Sequence, residues 1–173
     1  MWARLSCIEN KKVKTIHQIP GTLKDSKIKN NQWFIDWVFK NQKTPYLSVL
    51  DRSTRFFMIK KCTNKTHASA VRALEAIMAI AGKPNMITHD REFVANDSVL
   101  SDFLRENKII SDAVPRHSPH TILVERYHQE LKKIARNSEC DYEKAATILN
   151  MLPFTNKPSG LKWKQVTPRS LFI

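Results

Sequence analysis

The sequence predicts an α/β domain, a five-stranded mixed sheet flanked by helices. Three observations carry this expectation. Trp33-Phe34-Ile35-Asp36-Trp37-Val38-Phe39 is a run of large apolar residues with one carboxylate at its centre, bounded by polar Asn31-Gln32 and Lys40-Asn41-Gln42. With so little alternation it reads as a strand buried on both faces. Tyr46–Leu50 and Phe56–Ile59 then form a hairpin around the turn Asp51-Arg52-Ser53-Thr54. Beyond it, helical and extended patterns alternate, which places helices on both faces of the sheet.

The elements follow in order. Asn64 or Thr66 is positioned to cap a helix in which Ala70, Leu74, Ile77, Met78 and Ala81 recur at helical spacing, and Gly82 ends it. Pro84 opens a short strand, Met86 to His89, which terminates at Asp90. Asn96, Asp97 or Ser98 caps the next helix, whose inner face is Val99, Leu100, Phe103 and Leu104; Asn107 stops it, and Ile109-Ile110 is the fifth strand. Pro115 and Pro119 mark residues 113–121 as a loop. Thr121 caps a long helix from Ile122 to about Arg136 with the stripe Val124, Tyr127, Leu131 and Ile134. A last helix, Tyr142 to Leu152, is closed by Pro153.

A chain of 173 residues with 42% hydrophobic content reads as one globular domain with a proper core. The net charge of +13 suggests a polyanionic partner such as nucleic acid, although a solvated basic surface gives the same number. Cys7, Cys62 and Cys140 are odd in number and far apart, which argues for free thiols and against a disulfide framework or a cysteine zinc site. No apolar signal region opens the chain, and its longest apolar stretch, Ala76 to Ala81, is far too short for a bilayer. A soluble intracellular protein without a membrane partner is expected. Residues 1–30, with Lys11-Lys12-Val13-Lys14 and Pro20-Gly21, read as a basic linker or arm, and residues 31–173 as the folded core.

Three carboxylates stand out. A lone ionised Asp36 inside an apolar strand is unfavourable unless a cation, backbone N–H donors or a metal ion compensates it. Asp90 lies just past the end of a strand, the edge where ligands gather in open α/β sheets, though a turn aspartate sits there equally well. Glu125 is in the first turns of a helix, where the helix dipole alone accounts for an acid. Taken together, with Glu125 35 positions after Asp90, they suit two hard cations such as Mg²⁺. Two such ions can stabilise the attacking and leaving oxygens of an in-line displacement at phosphorus.

These pieces resemble the catalytic core of retroviral and retrotransposon integrases, in particular gypsy-type elements. The matching segments are Trp33-Phe34-Ile35-Asp36, Val49 to Phe56, Ile87-Thr88-His89-Asp90, Pro115-Arg116-His117-Ser118 and Val124-Glu125-Arg126-Tyr127-His128, with Thr167-Pro168 and Leu171 resembling the close of the core. The resemblance spans about residues 31–173. It implies an RNase H-like fold, two Mg²⁺ or Mn²⁺ ions on Asp36, Asp90 and Glu125, and DNA 3′-end processing followed by strand transfer. It also implies a homo-oligomer acting on element ends and target DNA, in the nucleus. Independently, if Val124, Tyr127, Leu131 and Ile134 face the core, then Glu125, Gln129, Lys132 and Arg136 form an adjacent stripe where a DNA backbone would run. Arg91 and Arg116 are further DNA-contact candidates. Arg126 and His128 read as supports of the helix.

The sequence departs from the family pattern in three places. Arg91-Glu92 follows Asp90 where Asn-Gly or Asn-Glu is usual, setting a bulky cation beside the acids. Ile122-Leu123 replaces a Gly-containing pair, which stiffens the loop that closes on DNA. The zinc-binding module that usually precedes the core is not seen: Cys7 stands where it would end, His17 lacks a second histidine at ligand spacing, and His117 and His120 have no cysteine partners, so no zinc is expected. The chain reads as an isolated core. The alternative function is a catalytically impaired or domesticated core that acts as a DNA-binding or assembly module.

Overall fold

The structure is a computed structural model that describes residues 29–94, 98–115, 119–152, 154–156 and 164–166. In chain order the elements are β1 (Gln32–Lys40), β2 (Thr44–Asp51), β3 (Phe57–Lys61), α1 (His67–Ala81), β4 (Met86–Asp90), α2 (Arg91–Val94), α3 (Ser98–Glu106), β5 (Ile110–Val114), α4 (Pro119–Asn137), α5 (Tyr142–Met151), β6 (Phe154–Asn156) and β7 (Lys164–Val166). The main sheet runs β3-β2-β1-β4-β5, antiparallel through β1, β2 and β3 and parallel through β1, β4 and β5. The five-stranded mixed sheet is therefore as the sequence predicts.

Strand alternation sorts the core into two layers. Trp33, Ile35, Leu47, Val49 and Ile87 pack beneath α1 and α3, against Leu74, Ile77, Leu100 and Leu104. Phe34, Val38, Tyr46, Leu50 and Phe57 pack beneath α4 and α5, against Val124, Tyr127, Leu131 and Leu149. Trp33, Leu47, Val49, Leu50 and Leu131 are fully buried. At about 25 cal/mol per Å² these aromatic and aliphatic side chains supply most of the stabilisation.

Local chemistry sets the ends of the elements. Asn41 and Gln42 are both left-handed, at φ 52° and 60°, as a tight turn between twisted antiparallel strands requires. Thr66 caps α1, its hydroxyl accepting from Ser69 N, while Asn64 steadies the cap by accepting from the Thr66 hydroxyl at 2.8 Å. Gly82 ends α1 at φ +87°, and a Cβ there would lie 2.9 Å from Asn30 Nδ2. Asp141 caps α5 by accepting from Lys144 N at 2.7 Å.

The structure corrects the sequence reading in three places. On α3, Leu100, Phe103 and Leu104 are buried but Val99 is exposed. β5 continues to Val114, and α4 starts at Pro119 instead of after a Thr121 cap. Pro119 reads as a breaker in sequence, yet the first helical position needs no N–H and favours proline's φ. The short helix α2 and the β6–β7 ribbon are not expected from the sequence; both are too short to carry a periodic signal. The proposed caps Asn96 and Asp97, the 116–118 segment with Arg116, Pro153, the Thr167-Pro168 segment and the residues before 29 lie outside the described residues. No helix among the described residues is long and apolar enough to cross a membrane.

Candidate active site

Alternation puts Phe34, Asp36 and Val38 on one face of β1, Tyr46, Ser48 and Leu50 on the same face of β2, and Thr88 and Asp90 on that face of β4. That face is the one covered by α4. β1 and β4 are parallel, with Phe34 opposite Thr88, so Asp36, midway along β1, comes beside Asp90 at the carboxyl end of β4. Both line one cleft, together with Thr88, His89, Thr121 and Val124. This is the edge position at which open α/β sheets bind ligands.

Two aspartates, Asp51 at the end of β2 and Asp36 within β1, show how a buried carboxylate is compensated and how it is not. Asp51 is fully buried, and its own turn supplies most of the donors: Oδ1 accepts from Ser53 N at 3.0 Å, Thr54 N at 2.8 Å and the Thr54 hydroxyl at 2.8 Å, while Oδ2 accepts from Asn30 N at 2.8 Å. Asp51 is thereby a structural acid. Asp36 accepts from one backbone donor, Trp37 N at 2.7 Å. Its carboxyl is pushed up to about 6, chiefly by burial; the Trp37 bond opposes this, Asp90 adds to it, Lys65 opposes it, and Glu125 adds to it. With 37% of the side chain still in contact with water, the burial contribution is weaker than for an enclosed acid.

Glu125 is exposed on α4, next to the cleft-lining Val124 and one turn from the cleft-lining Thr121. Its charge reaches Asp36, but its side chain is not part of the cleft lining. Among the described residues no three His, Cys, Asp or Glu side chains stand close enough to hold a metal ion between them. The donor set nonetheless fits a hard divalent cation: two carboxylates share the cleft, and a third, on a long side chain anchored to a rigid helix, lies within electrostatic range. A cation would compensate the burial, and the neighbouring charges of Asp90 and Glu125, that raise Asp36.

The remaining candidates divide. Gln129, Lys132 and Arg136 are exposed along α4 on the same stripe as Glu125, as the periodicity indicates. Arg91 is exposed and opens α2 directly after Asp90. Arg116 lies outside the described residues.

Sequence reasoning misses what stands behind the acids. His128 is buried, and its ring is held between β2 and Asp36: Nε2 lies 2.7 Å from the Ser48 hydroxyl and Nδ1 4.0 Å from Asp36 Oδ2. Ser48 also donates to the Asp36 carbonyl at 2.8 Å. Burial, with help from Lys132, pushes His128 down to about 3, so the ring is neutral. The sequence does carry a signal for this, since 124, 127, 128 and 131 form one helical stripe and His128 breaks its apolar character. Ser48 and Asp36 similarly interrupt apolar faces on their strands. His89, by sequence only a strand residue, has a positioning role. Its Nδ1 donates to the Asp90 carbonyl at 2.9 Å and its Nε2 accepts from the Ser111 hydroxyl at 2.8 Å, which fixes the strand end that presents Asp90. A rail of side chains crosses the sheet below: Arg52 donates to Gln32, Gln32 to Thr88 at 2.6 Å, and Thr88 to Asp112 at 2.8 Å.

No protein-family model matches this sequence, and no curated protein matches it. Solved structures do. The chain is similar to one in the cryo-electron microscopy structure of the simian T-cell lymphotropic virus intasome in complex with PP2A regulatory subunit B56 gamma, at 20% identity and TM-score 0.69, over 96% of this chain and 62% of that one. It is similar to the HTLV-2 integrase catalytic core domain in complex with magnesium (trimeric form), at 18% identity and TM-score 0.63, over 84% and 98%. It is also similar to the BIV integrase catalytic core domain, at 16% identity and TM-score 0.62, over 83% and 93%. This chain thus spans less than two thirds of the simian viral chain and nearly all of the isolated cores. The fold is the RNase H-like fold of retroviral integrase catalytic cores.

Proposed function

We propose that this chain, which has the fold of a retroviral integrase core, is a metal-dependent polynucleotidyl transferase of the integrase type, related to gypsy-type retrotransposon enzymes. The observation that carries the reading is the meeting of Asp36 and Asp90 in one cleft at the carboxyl end of β4, with the Glu125 charge within range of Asp36. Asp36, Asp90 and Glu125 would hold two Mg²⁺ or Mn²⁺ ions; bound there, such ions polarise phosphate oxygens and lower the pKa of a coordinated hydroxyl.

The chain's own residues do the positioning. Asp36 and Asp90, on rigid neighbouring strands, set the spacing of the site. His89 holds the Asp90 carbonyl, and Ser48 holds that of Asp36. The exposed stripe of Gln129, Lys132 and Arg136 binds the DNA backbone, with Arg91 and Arg116 as further contacts. In end processing, a water oxygen attacks phosphorus, the P–O3′ bond breaks, and the departing 3′ oxygen takes up a proton. In strand transfer the freed 3′-OH attacks a target phosphodiester and loses its proton to solvent, the target's P–O3′ bond breaks, and the departing 3′ oxygen takes up a proton from solvent. No covalent enzyme intermediate is required. The proposal includes a homo-oligomer and action on DNA in the nucleus.

A second reading, a DNA-binding or assembly module without catalysis, is favoured by one observation: the Glu125 side chain is outside the cleft lining. Incubating the purified chain with short DNA duplexes in Mg²⁺ or Mn²⁺ decides between them. Cleaved or joined products that disappear in Asp36→Asn and Glu125→Gln support the transferase. Binding without metal-dependent product, unchanged by those substitutions, supports the module.

A further inference from the structure

The two cleft aspartates sit where the sheet forks. Backbone pairing of β1 with β4 runs from Gln32 and Met86 to Phe34 and Thr88 and ends there. Beyond that point β1 stays paired with β2 as far as Lys40, and β4 stays paired with β5 as far as Asp90 and Val114. Asp36 and Asp90 each lie two residues past the last shared pair, so the β1–β4 ladder stops short of them and does not set their separation.

Phe93 fills the fork from the opposite face. Alternation turns Trp37 away from Asp36 and His89 away from Asp90, into the layer beneath α1 and α3 where Phe93 is buried. The Phe93 ring stacks on Trp37, with centroids 5.7 Å apart and planes at 21°. It also meets His89 at 6.1 Å and His67, the first residue of α1, at 6.2 Å. One ring thus touches β1, β4 and α1. Each strand contact reaches an acid in a single further step. Trp37 N donates to Asp36 Oδ1 at 2.7 Å, and the His89 ring bonds the Asp90 carbonyl through Nδ1 at 2.9 Å.

We infer that Phe93 is a positioning residue: its ring, wedged between Trp37 and His89, sets the separation of the Asp36 and Asp90 carboxylates and hence their fit to a divalent cation. The inference rests on the metal-site reading proposed above. A small hard ion accepts carboxylate oxygens only in a narrow range, about 2.0 to 2.1 Å for Mg²⁺, so a small shift between the two strands is felt in affinity. Leucine at 93 keeps the layer apolar but lacks the flat face that holds Trp37, and the strands then adjust to the smaller side chain.

The test is Mn²⁺ binding to the full chain without DNA, read by electron paramagnetic resonance, with each variant held well below its own melting temperature. Phe103, buried in the same layer on α3, supplies the control for lost core packing. Phe93→Leu and Trp37→Leu should each weaken Mn²⁺ binding about tenfold, as loss of an outer support of a metal site does. The double variant should lose no more than about twofold beyond either single one, because both remove the same contact. Phe103→Leu and Trp37→Phe, the latter keeping a ring against Phe93, should stay within about threefold of the parent. If Phe93→Leu does not fold, Trp37→Leu set against Trp37→Phe makes the same comparison. Binding that Asp36→Asn abolishes but Phe93→Leu and Trp37→Leu leave at the parent's level overturns the inference and keeps the metal site. So do additive losses in the double variant, or a loss in Phe103→Leu equal to that in Phe93→Leu. A parent whose Mn²⁺ binding is absent, or survives Asp36→Asn, removes the metal site and the inference together.

Discussion

Replacing Asp36 with Asn removes a carboxyl that the fold holds above its ordinary range, and the stability response has a definite sign. Burial, and then the charges of Asp90 and Glu125, raise it from 3.8 to about 6 against the opposing Trp37 bond and Lys65. A carboxyl with a higher pKa folded than unfolded binds its proton more tightly in the native state. Its contribution is complete below about 3.8 and is lost as pH rises through about 6. Undiluted, the shift would correspond to roughly 3 kcal/mol at neutral pH. With 37% of the side chain in water, screening reduces the expected effect to about 1 kcal/mol. Asparagine keeps an acceptor for Trp37 N, so the backbone bond survives. In metal-free buffer near pH 7, Asp36→Asn should melt about 2 to 4 °C above the parent, and the gap should close near pH 4. Adding Mg²⁺ should raise the parent's melting temperature and leave Asp36→Asn nearly unmoved, because a ligand stabilises only the state that binds it. Circular-dichroism melts across pH read both effects. A variant less stable than the parent at neutral pH, or a gap that does not vary with pH, refutes the electrostatic account of the site.

Three other substitutions probe the scaffold and the surface. Asn150 clamps strand β3 to α5, accepting from Phe57 N and donating to Phe57 O, both at 2.8 Å; Asn150→Ala strands two buried backbone groups and should cost about 2 to 4 kcal/mol by urea titration. Gly82→Ala forces a positive φ and a 2.9 Å approach to Asn30 Nδ2, reducing stability by about 1 to 2 kcal/mol in the same assay. Reversing charge at Lys132 and Arg136 should weaken binding to any DNA sequence and flatten its salt dependence by about one unit of log–log slope for each phosphate no longer neutralised; an unchanged slope would take the DNA backbone off that stripe.

Much of the molecule is legible in order along the chain. The apolar run around Asp36, the hairpin around Asp51 and the helical stripe from Val124 to Ile134 give the sheet and the α4 face, because side-chain periodicity is a local property. The same alternation predicts that Asp36 shares its face with Phe34 and Val38. Boundaries near proline are harder to read, since Pro119 starts a helix as readily as it ends a strand.

What only the tertiary structure decided is which polar residues share a space. Asp51 and Asp36 look alike in sequence, but one is saturated largely by its own turn and the other meets Asp90, Glu125 and His128 across three elements. Ser48 and His128 are 80 positions apart, and their bond exists because β2 pairs with β1 in one register and α4 crosses that face with its 128 position inward. Composition and spacing determine the layers and the chemistry available to them. Register and helix packing, which no local pattern encodes, determine the ångström-scale geometry on which the chemistry depends.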